Sequence, residues 1–248
     1  MMTFCFPRFF LCLSCLMLPL ISGVAVEGGS GVHVRLLSWS EEPLQELYLQ
    51  TDEDVFVPLS LRSNRRSTGY ELYDSGVLRI YTDAVDAEGN AMKIPVLQTP
   101  ISSDIREPLV ILFSSMVEGK PTYRATVMED AESAFPFGSY RVINLSGYPL
   151  AFDLDGNAHR LESRASTLVQ PQAQERENIA VQFYVIEAGT PVLVRQTYWR
   201  HQPTQRMLIF VMPSQNPQHS DYILYTISER EAVYRRLHET NRETKNAK

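Results

Sequence analysis

Cysteine is confined to the first fifteen residues of this chain, at Cys5, Cys12 and Cys15. Beyond Cys15 no disulfide can form. Cysteine nucleophiles, thiolate metal sites and thiol redox chemistry are excluded there too, so stability must come from apolar cores. Histidine is also thinly spread. The five residues His33, His159, His201, His219 and His238 stand singly, with no pair at the i, i+2 or i, i+4 spacing of a metal site. There is no Gly-x-Ser-x-Gly elbow, no phosphate-cradling glycine loop and no dinucleotide fingerprint. The nearest glycine-rich stretch, "GGSGVH" at 28–33, reads as a flexible leader. Basic charge is in short supply. Lys and Arg number 23 against 29 Asp and Glu, for a formal charge of −6. A nucleic-acid binder needs a basic field over its contact face, so nucleic acid is not expected as a partner. These absences point to a protein without enzymatic activity, metal or cofactor.

The N-terminus carries the address. Residues 1–25 open with one basic residue, Arg8, continue as an apolar run from Phe9 to Ile21, and end in Ser22-Gly23-Val24-Ala25. That is the order of a secretory signal peptide, with cleavage expected after Ala25. The apolar run is short beside the roughly twenty residues a membrane span requires, so no span is expected after cleavage. A disulfide-free exported chain suits a bacterial envelope, and the expected location is periplasm, outer surface or medium.

From residue 32 to 228 the sequence is strand-like. Runs such as "VLRIYTD", "AVQFYVI" and "DYILYTI" alternate apolar and polar residues between turn signals, the pattern of antiparallel sheets with one buried and one solvated face. The fold class is all-β. The runs also repeat. "RLLSWSEEPL" from Arg35 can be laid on "RVINLSGYPL" from Arg141, "LRIYT" (78–82) on "VQFYV" (181–185), "IPVLQT" (94–99) on "VLVRQT" (192–197) and "PLVILF" (108–113) on "RMLIFV" (206–211). Such serial order is the mark of an internal duplication. Each copy has the size of an antiparallel β-sandwich of immunoglobulin or fibronectin type. The expected organisation is a signal peptide at 1–25, a β-sandwich at 32–130, a linker at 131–139, a second β-sandwich at 140–228 and a charged helical or disordered tail at 229–248. Residues 62–76 and 162–178 are expected as long exposed loops.

The segment "YRVINLSGYPLAFDLDG" resembles the first hairpin of Ig-like modules found in uncharacterised secreted bacterial proteins. The likeness covers about twenty residues, around Asn144-Leu145-Ser146 with Pro149 ahead of the second strand. It implies a periplasmic or surface β-sandwich and no catalytic residue. Periplasmic pilus chaperones also pair a signal peptide with two Ig-like domains, but their basic cleft residues have no evident counterpart here.

Few stretches look like chemistry. "FDLDGNAHRLE" (152–162) suggests a calcium loop, but counted from Asp153 the glycine and the closing Glu162 arrive too early for one. Asp155-Gly156 between alternating strands is instead a hairpin signal. Glu129, Asp130 and Glu132 could bring carboxylates together at the linker, and acidic residues are also commonplace at turns. "QTYWRHQP" (196–203) gives the candidate ligand site: Tyr198, Trp199, Arg200 and His201 could offer a glycan a flat ring beside hydrogen-bonding groups. Neighbours on a strand point to opposite faces, so one of Tyr198 and Trp199 should face solvent while the other packs inward. In the tail, Val233 and Leu237 could form a small helical stripe.

The expectation is a non-enzymatic structural or protein-interaction module of the bacterial cell envelope, with an envelope protein or surface polysaccharide as partner. A carbohydrate-binding module using Tyr198, Trp199, Arg200 and His201 is the alternative. An enzyme with a composite site at the domain junction is the third.

Overall fold

Among the residues described in a computed structural model of the chain, sixteen strands and one helix follow one another. The structure describes residues 32–246 apart from 40–45, 64, 74–75, 174, 176 and 215–220, with side chains described to residue 240. The expected signal peptide, and the Ser40 and Pro43 positions of the repeat, lie outside the described residues.

The first eight strands are β1 (His33–Trp39), β2 (Leu47–Asp52), β3 (Val55–Pro58), β4 (Tyr70–Glu71), β5 (Val77–Val85), β6 (Ala91–Pro100), β7 (Pro108–Val117) and β8 (Lys120–Glu129). The second eight are β9 (Tyr140–Asn144), β10 (Leu150–Leu154), β11 (Asn157–Leu161), β12 (Ser166–Val169), β13 (Asn178–Glu187), β14 (Thr190–Arg200), β15 (Gln205–Pro213) and β16 (Tyr222–Arg230). The helix α1 (Glu231–Asn246) follows directly. Each set makes two four-stranded sheets, in the orders β3-β2-β5-β6 and β4-β1-β7-β8, then β11-β10-β13-β14 and β12-β9-β15-β16. The protein is all-β, built as β-sandwiches with one helix.

The two sets share one pairing scheme. β1 runs parallel to β7 as β9 does to β15, and every other pairing is antiparallel in both. Even an irregularity recurs. Register shifts between Ile80 and Tyr81, whose partners are Leu97 and Pro95, leaving Val96 extra on β6. It shifts again between Phe183 and Tyr184, opposite Arg195 and Leu193, leaving Val194 extra on β14. The pairing also adjusts the sequence comparison. Arg35 faces Leu109 and Arg141 faces Leu208, so β7 and β15 correspond one residue away from the match of "PLVILF" with "RMLIFV".

Local turn chemistry explains the hairpins. Asp155 and Gly156 join β10 to β11 with φ of 59° and 74°, the paired positive values of a tight primed turn. The corresponding link between β2 and β3 uses Glu53 and Asp54, with Asp54 at φ 59°. The stretches 62–76 and 162–178 are not wholly exposed loops. Each contains a short strand, β4 or β12, that pairs with the first strand of its sandwich. Arg66, Ser67 and Leu72 are buried.

Three apolar cores alternate with the sheets. Leu36, Leu49, Ile80 and Val110 fill the first sandwich, and Val142, Phe152, Phe183 and Ile209 fill the second. The third lies between the inner sheets: Leu37, Leu109 and Ile111 of the first half meet Ile143, Leu208 and Phe210 of the second. Odd and even residues of β1, β7, β9 and β15 therefore point into different cores, and both faces are buried. One solvated face per sheet is right for the outer sheets and wrong for the inner pair. The uninterrupted apolar runs of β7 and β15 suit strands covered on both sides. The segment 131–139 is part of this packing: Phe135 is fully buried in the third core.

Candidate functional site at the junction of the two sandwiches

One end of the third core carries a buried network of charge. Arg35 projects from β1, Arg206 from β15 and Glu229 from β16. Asp130 follows β8, and Arg66 lies on the approach to β4. All five are buried, Asp130 and Arg206 completely. Arg35 donates from Nη1 to Glu229 Oε1 at 2.6 Å and from Nη2 to Asp130. Arg66 grips Asp130 with two nitrogens, at 3.0 and 3.1 Å. Arg206 donates from Nε and Nη2 to Glu229 at 2.9 and 2.6 Å, while its Nη1 donates to the carbonyls of Asp130 and Phe135, each at 2.8 Å. Matching registers put Asp130 and Glu229 at equivalent places, two residues past Met128 and Ile227, which face Leu109 and Leu208. Each sandwich thus contributes a carboxylate from the same position to one shared network.

Charges this deep persist only when paired and hydrogen-bonded. Burial pushes the Asp130 carboxyl up, but Arg66, Arg35 and Arg206 outweigh it and hold the pKa below the ordinary value. Burial likewise opposes the charge on Arg35, and Asp130 and Glu229 outweigh it to raise that pKa. Three guanidiniums over two carboxylates leave one positive charge uncompensated within the five, and Arg66 Nη1 is buried with no hydrogen-bond partner among the described residues. Aromatic faces take up part of the excess. The Phe135 ring lies 5.0 Å from the Arg206 guanidinium carbon and 4.8 Å from that of Arg141. Tyr234 of α1 lies 4.8 Å from Arg206 and 5.3 Å from Arg35. Such contacts contribute about 0.5–2 kcal/mol each, most where water is excluded.

The helix closes over this network. Tyr234 is buried and donates its hydroxyl to Glu107 Oε2 at 2.8 Å. Burial and that acceptor push its pKa to about 12. His238 Nε2 lies 3.4 Å from the same oxygen, and burial pushes its pKa down. Val233, expected in a small helical stripe with Leu237, is half exposed, and it is Tyr234 that faces the guanidiniums. Glu229 belongs to β16 and to the network rather than to the tail. Beside the helix, Glu107, Glu132, Tyr234, Arg235 and His238 line a cleft of about 190 Å³. Glu107, Tyr234 and His238 are engaged with one another, and Arg235 pairs with Glu132 at 3.1 Å.

The linker carboxylates do not converge on a common point. Glu129 accepts the backbone N–H groups of Arg106, Glu107 and Ala131, Asp130 is held by arginines, and Glu132 faces Arg235. Among the described residues no three His, Cys, Asp or Glu side chains are placed to hold a metal.

The four residues expected to bind a glycan divide between two faces of β14. Tyr198 is 73% exposed and Arg200 is exposed beside it. Trp199 turns inward onto Tyr140 and Phe183, with ring centroids 5.9 and 6.0 Å away. His201 is buried, its Nδ1 3.1 Å from the Tyr140 hydroxyl, and burial lowers its pKa. Strand alternation separates the pairs, so no common platform forms. The arginine network was not read from the sequence. Its one local signal is a charge set in an apolar strand, as in "VRLL" and "QRMLIF".

Comparison with protein-family models and with curated protein sequences finds no match.

Proposed function

We propose that the chain is a non-enzymatic exported protein of the bacterial cell envelope, in which two joined Ig- or fibronectin-like sandwiches form a rigid interaction module. The observation that carries this reading is the third core and its arginine network. The polar groups that look most like chemistry hold each other, and their result is a fixed relation between the two sandwiches. Shared pairing and the recurring bulge support an origin by internal duplication. Export rests on the leader at 1–25 and on the lack of cysteine after Cys15. Among the described residues no helix is long and apolar enough to cross a membrane.

Fractionation of bacteria expressing the full chain tests the reading. The protein should leave the cytoplasm, shortened at its leader, and crosslinking in the intact envelope should yield one reproducible adduct. Retention of the full-length chain in the cytoplasm, or no adduct under any crosslinker, would refute it. A glycan reading retains one supporting observation, the exposed ring of Tyr198 beside Arg200. Polysaccharide should then retard the native protein in affinity electrophoresis, and Tyr198→Ala should abolish the shift.

A further inference from the structure

Two strands of this fold occupy the same place in the two halves yet differ in how their free edges are guarded. β6 is the last strand of the sheet β3-β2-β5-β6, and β14 the last of β11-β10-β13-β14. A sheet edge presents unpaired N–H and C=O groups to any extended chain, and proteins blunt such edges with proline, lysine or bulges. β6 carries Lys93, Pro95 and Pro100. The shared pairing locates the equivalents in β14. Pro95 faces Tyr81 and Leu193 faces Tyr184; Pro100 faces Val77 and Tyr198 faces Ala180. Both guarding prolines are therefore replaced by large apolar residues, and both are open to solvent, Leu193 at 51% and Tyr198 at 73%. The guard that remains on β14 sits at its start: Pro191, opposite Ile186, takes the place of Lys93, opposite Asp83, and both edges share the bulge. From Val192 to Arg200 the strand contains no proline.

We propose that the free edge of β14 is a strand-addition site for an extended, apolar and acidic segment of a partner protein. This rests on the interaction-module reading above and names the surface. Strand addition draws affinity from main-chain hydrogen bonds and selectivity from alternate side chains. Leu193 and Tyr198 share the outer face of the sheet and supply the apolar contacts. Charge selects the partner. Within a chain of net charge −6, β14 holds Arg195 and Arg200 and no carboxylate. Both are exposed, and neither has an ion-pair partner among the described residues. The same charges disfavour a second copy as occupant. An antiparallel self-pairing that overlaps the strand fully centres on Arg195 and sets that residue against its own copy, and like charges directly opposite are destabilising.

The probe is a fluorescent synthetic peptide alternating Glu with Val and Ile, titrated into the full chain at neutral pH and low salt. Saturable binding is expected. N-methylation of alternate backbone amides in the peptide should abolish it, and a Lys-for-Glu peptide should bind more weakly. Arg195→Glu with Arg200→Glu, both exposed, should weaken it at least about tenfold, as loss of facing charge pairs does, with the melting temperature of the variant showing that the fold is kept. Leu193→Pro with Tyr198→Pro, which copies the guard of β6, should remove it. No binding, binding indifferent to N-methylation, or binding unchanged by the arginine reversal would overturn the proposal. So would a dimer in sedimentation that the proline variant dissociates, because the occupant would then be a second copy. A photo-crosslinker at position 198 separates this proposal from the reading beneath it. An envelope partner captured elsewhere but never from position 198 sinks the edge and leaves the module standing.

Discussion

Replacing Asp130 tests whether the buried network joins the sandwiches. Asp130 is fully buried and answers three guanidiniums. Without it, Arg35 keeps Glu229 at 2.6 Å and Arg206 keeps Glu229 and two carbonyls. Arg66 keeps only a 3.6 Å approach to Glu229, so it is the charge left stranded. Removing one partner of a buried pair costs about 3–5 kcal/mol. Asp130→Ala is expected at the upper end, and Asp130→Asn, which retains one acceptor oxygen, at the lower. For a folded body near this size each kcal/mol moves Tm by about 2–4 °C, so melting should fall by roughly 6–20 °C. The assay is urea unfolding followed by intrinsic fluorescence, with the midpoint read at constant slope. Because the cost is assigned to the stranded guanidinium, adding Arg66→Met should return part of it. The double variant should be more stable than additivity predicts by about 1 kcal/mol or more, within the range of coupling for contacting residues. A cost for Asp130→Asn below about 1 kcal/mol, or strict additivity in the double variant, would refute the reasoning.

Other consequences are open to the same measurement. Gly138 and Gly156 both have positive φ, but an added Cβ at Gly138 would lie 3.3 Å from the Pro203 carbonyl oxygen while one at Gly156 would meet nothing within 4 Å. Gly156→Ala should therefore cost only the left-handed backbone penalty, about 1–2 kcal/mol, and Gly138→Ala should cost more. His159 stacks on Phe152 at 4.8 Å and its Nε2 is buried with no hydrogen-bond partner among the described residues. His159→Phe should raise stability by about 1 kcal/mol, since it removes an unsatisfied polar group. Trp199→Ala should lower the midpoint markedly and Tyr198→Ala should leave it within about 0.5 kcal/mol, as expected for an exposed site. In acid, stability should fall in two steps. Folding lowers the pKa of His201 and His238, so the unfolded chain takes up protons first and stability declines from about pH 6.5 downwards. Folding also lowers Asp130 and Glu129, and a second decline should begin near pH 4. Replacing both histidines with Gln should abolish the first step; a stability curve flat from neutral to mildly acid pH in the unaltered protein would contradict it.

What the sequence determined by itself is what neighbouring residues enforce. Period-two alternation placed the strands, and on β14 it put Tyr198 and Trp199 on opposite faces, because successive side chains on a strand must oppose each other; which of the two turns inward was decided by the tertiary structure. Asp155 and Gly156 marked a hairpin because both tolerate positive φ. The correspondence of Tyr81 with Tyr184 and of Gln98 with Gln196 followed from order alone, and the pairing respects it. Only the tertiary structure decided which faces meet. Leu37 and Phe210 carry no local sign of facing another sandwich, since an apolar residue on a strand looks the same whether a sheet or water lies beyond it. The runs of β7 and β15 were compatible with two-sided burial, but not sufficient to name the partner. The network lay further out of reach: Arg35 and Glu229 are separated by 194 positions, and no spacing rule links charges so distant. Nor did the sequence show β14 as the less guarded edge, because an edge exists only once strand order is fixed. Local chemistry wrote the strands and turns; burial between sheets, a property of no single strand, decided where the charges lie and which edge stays open.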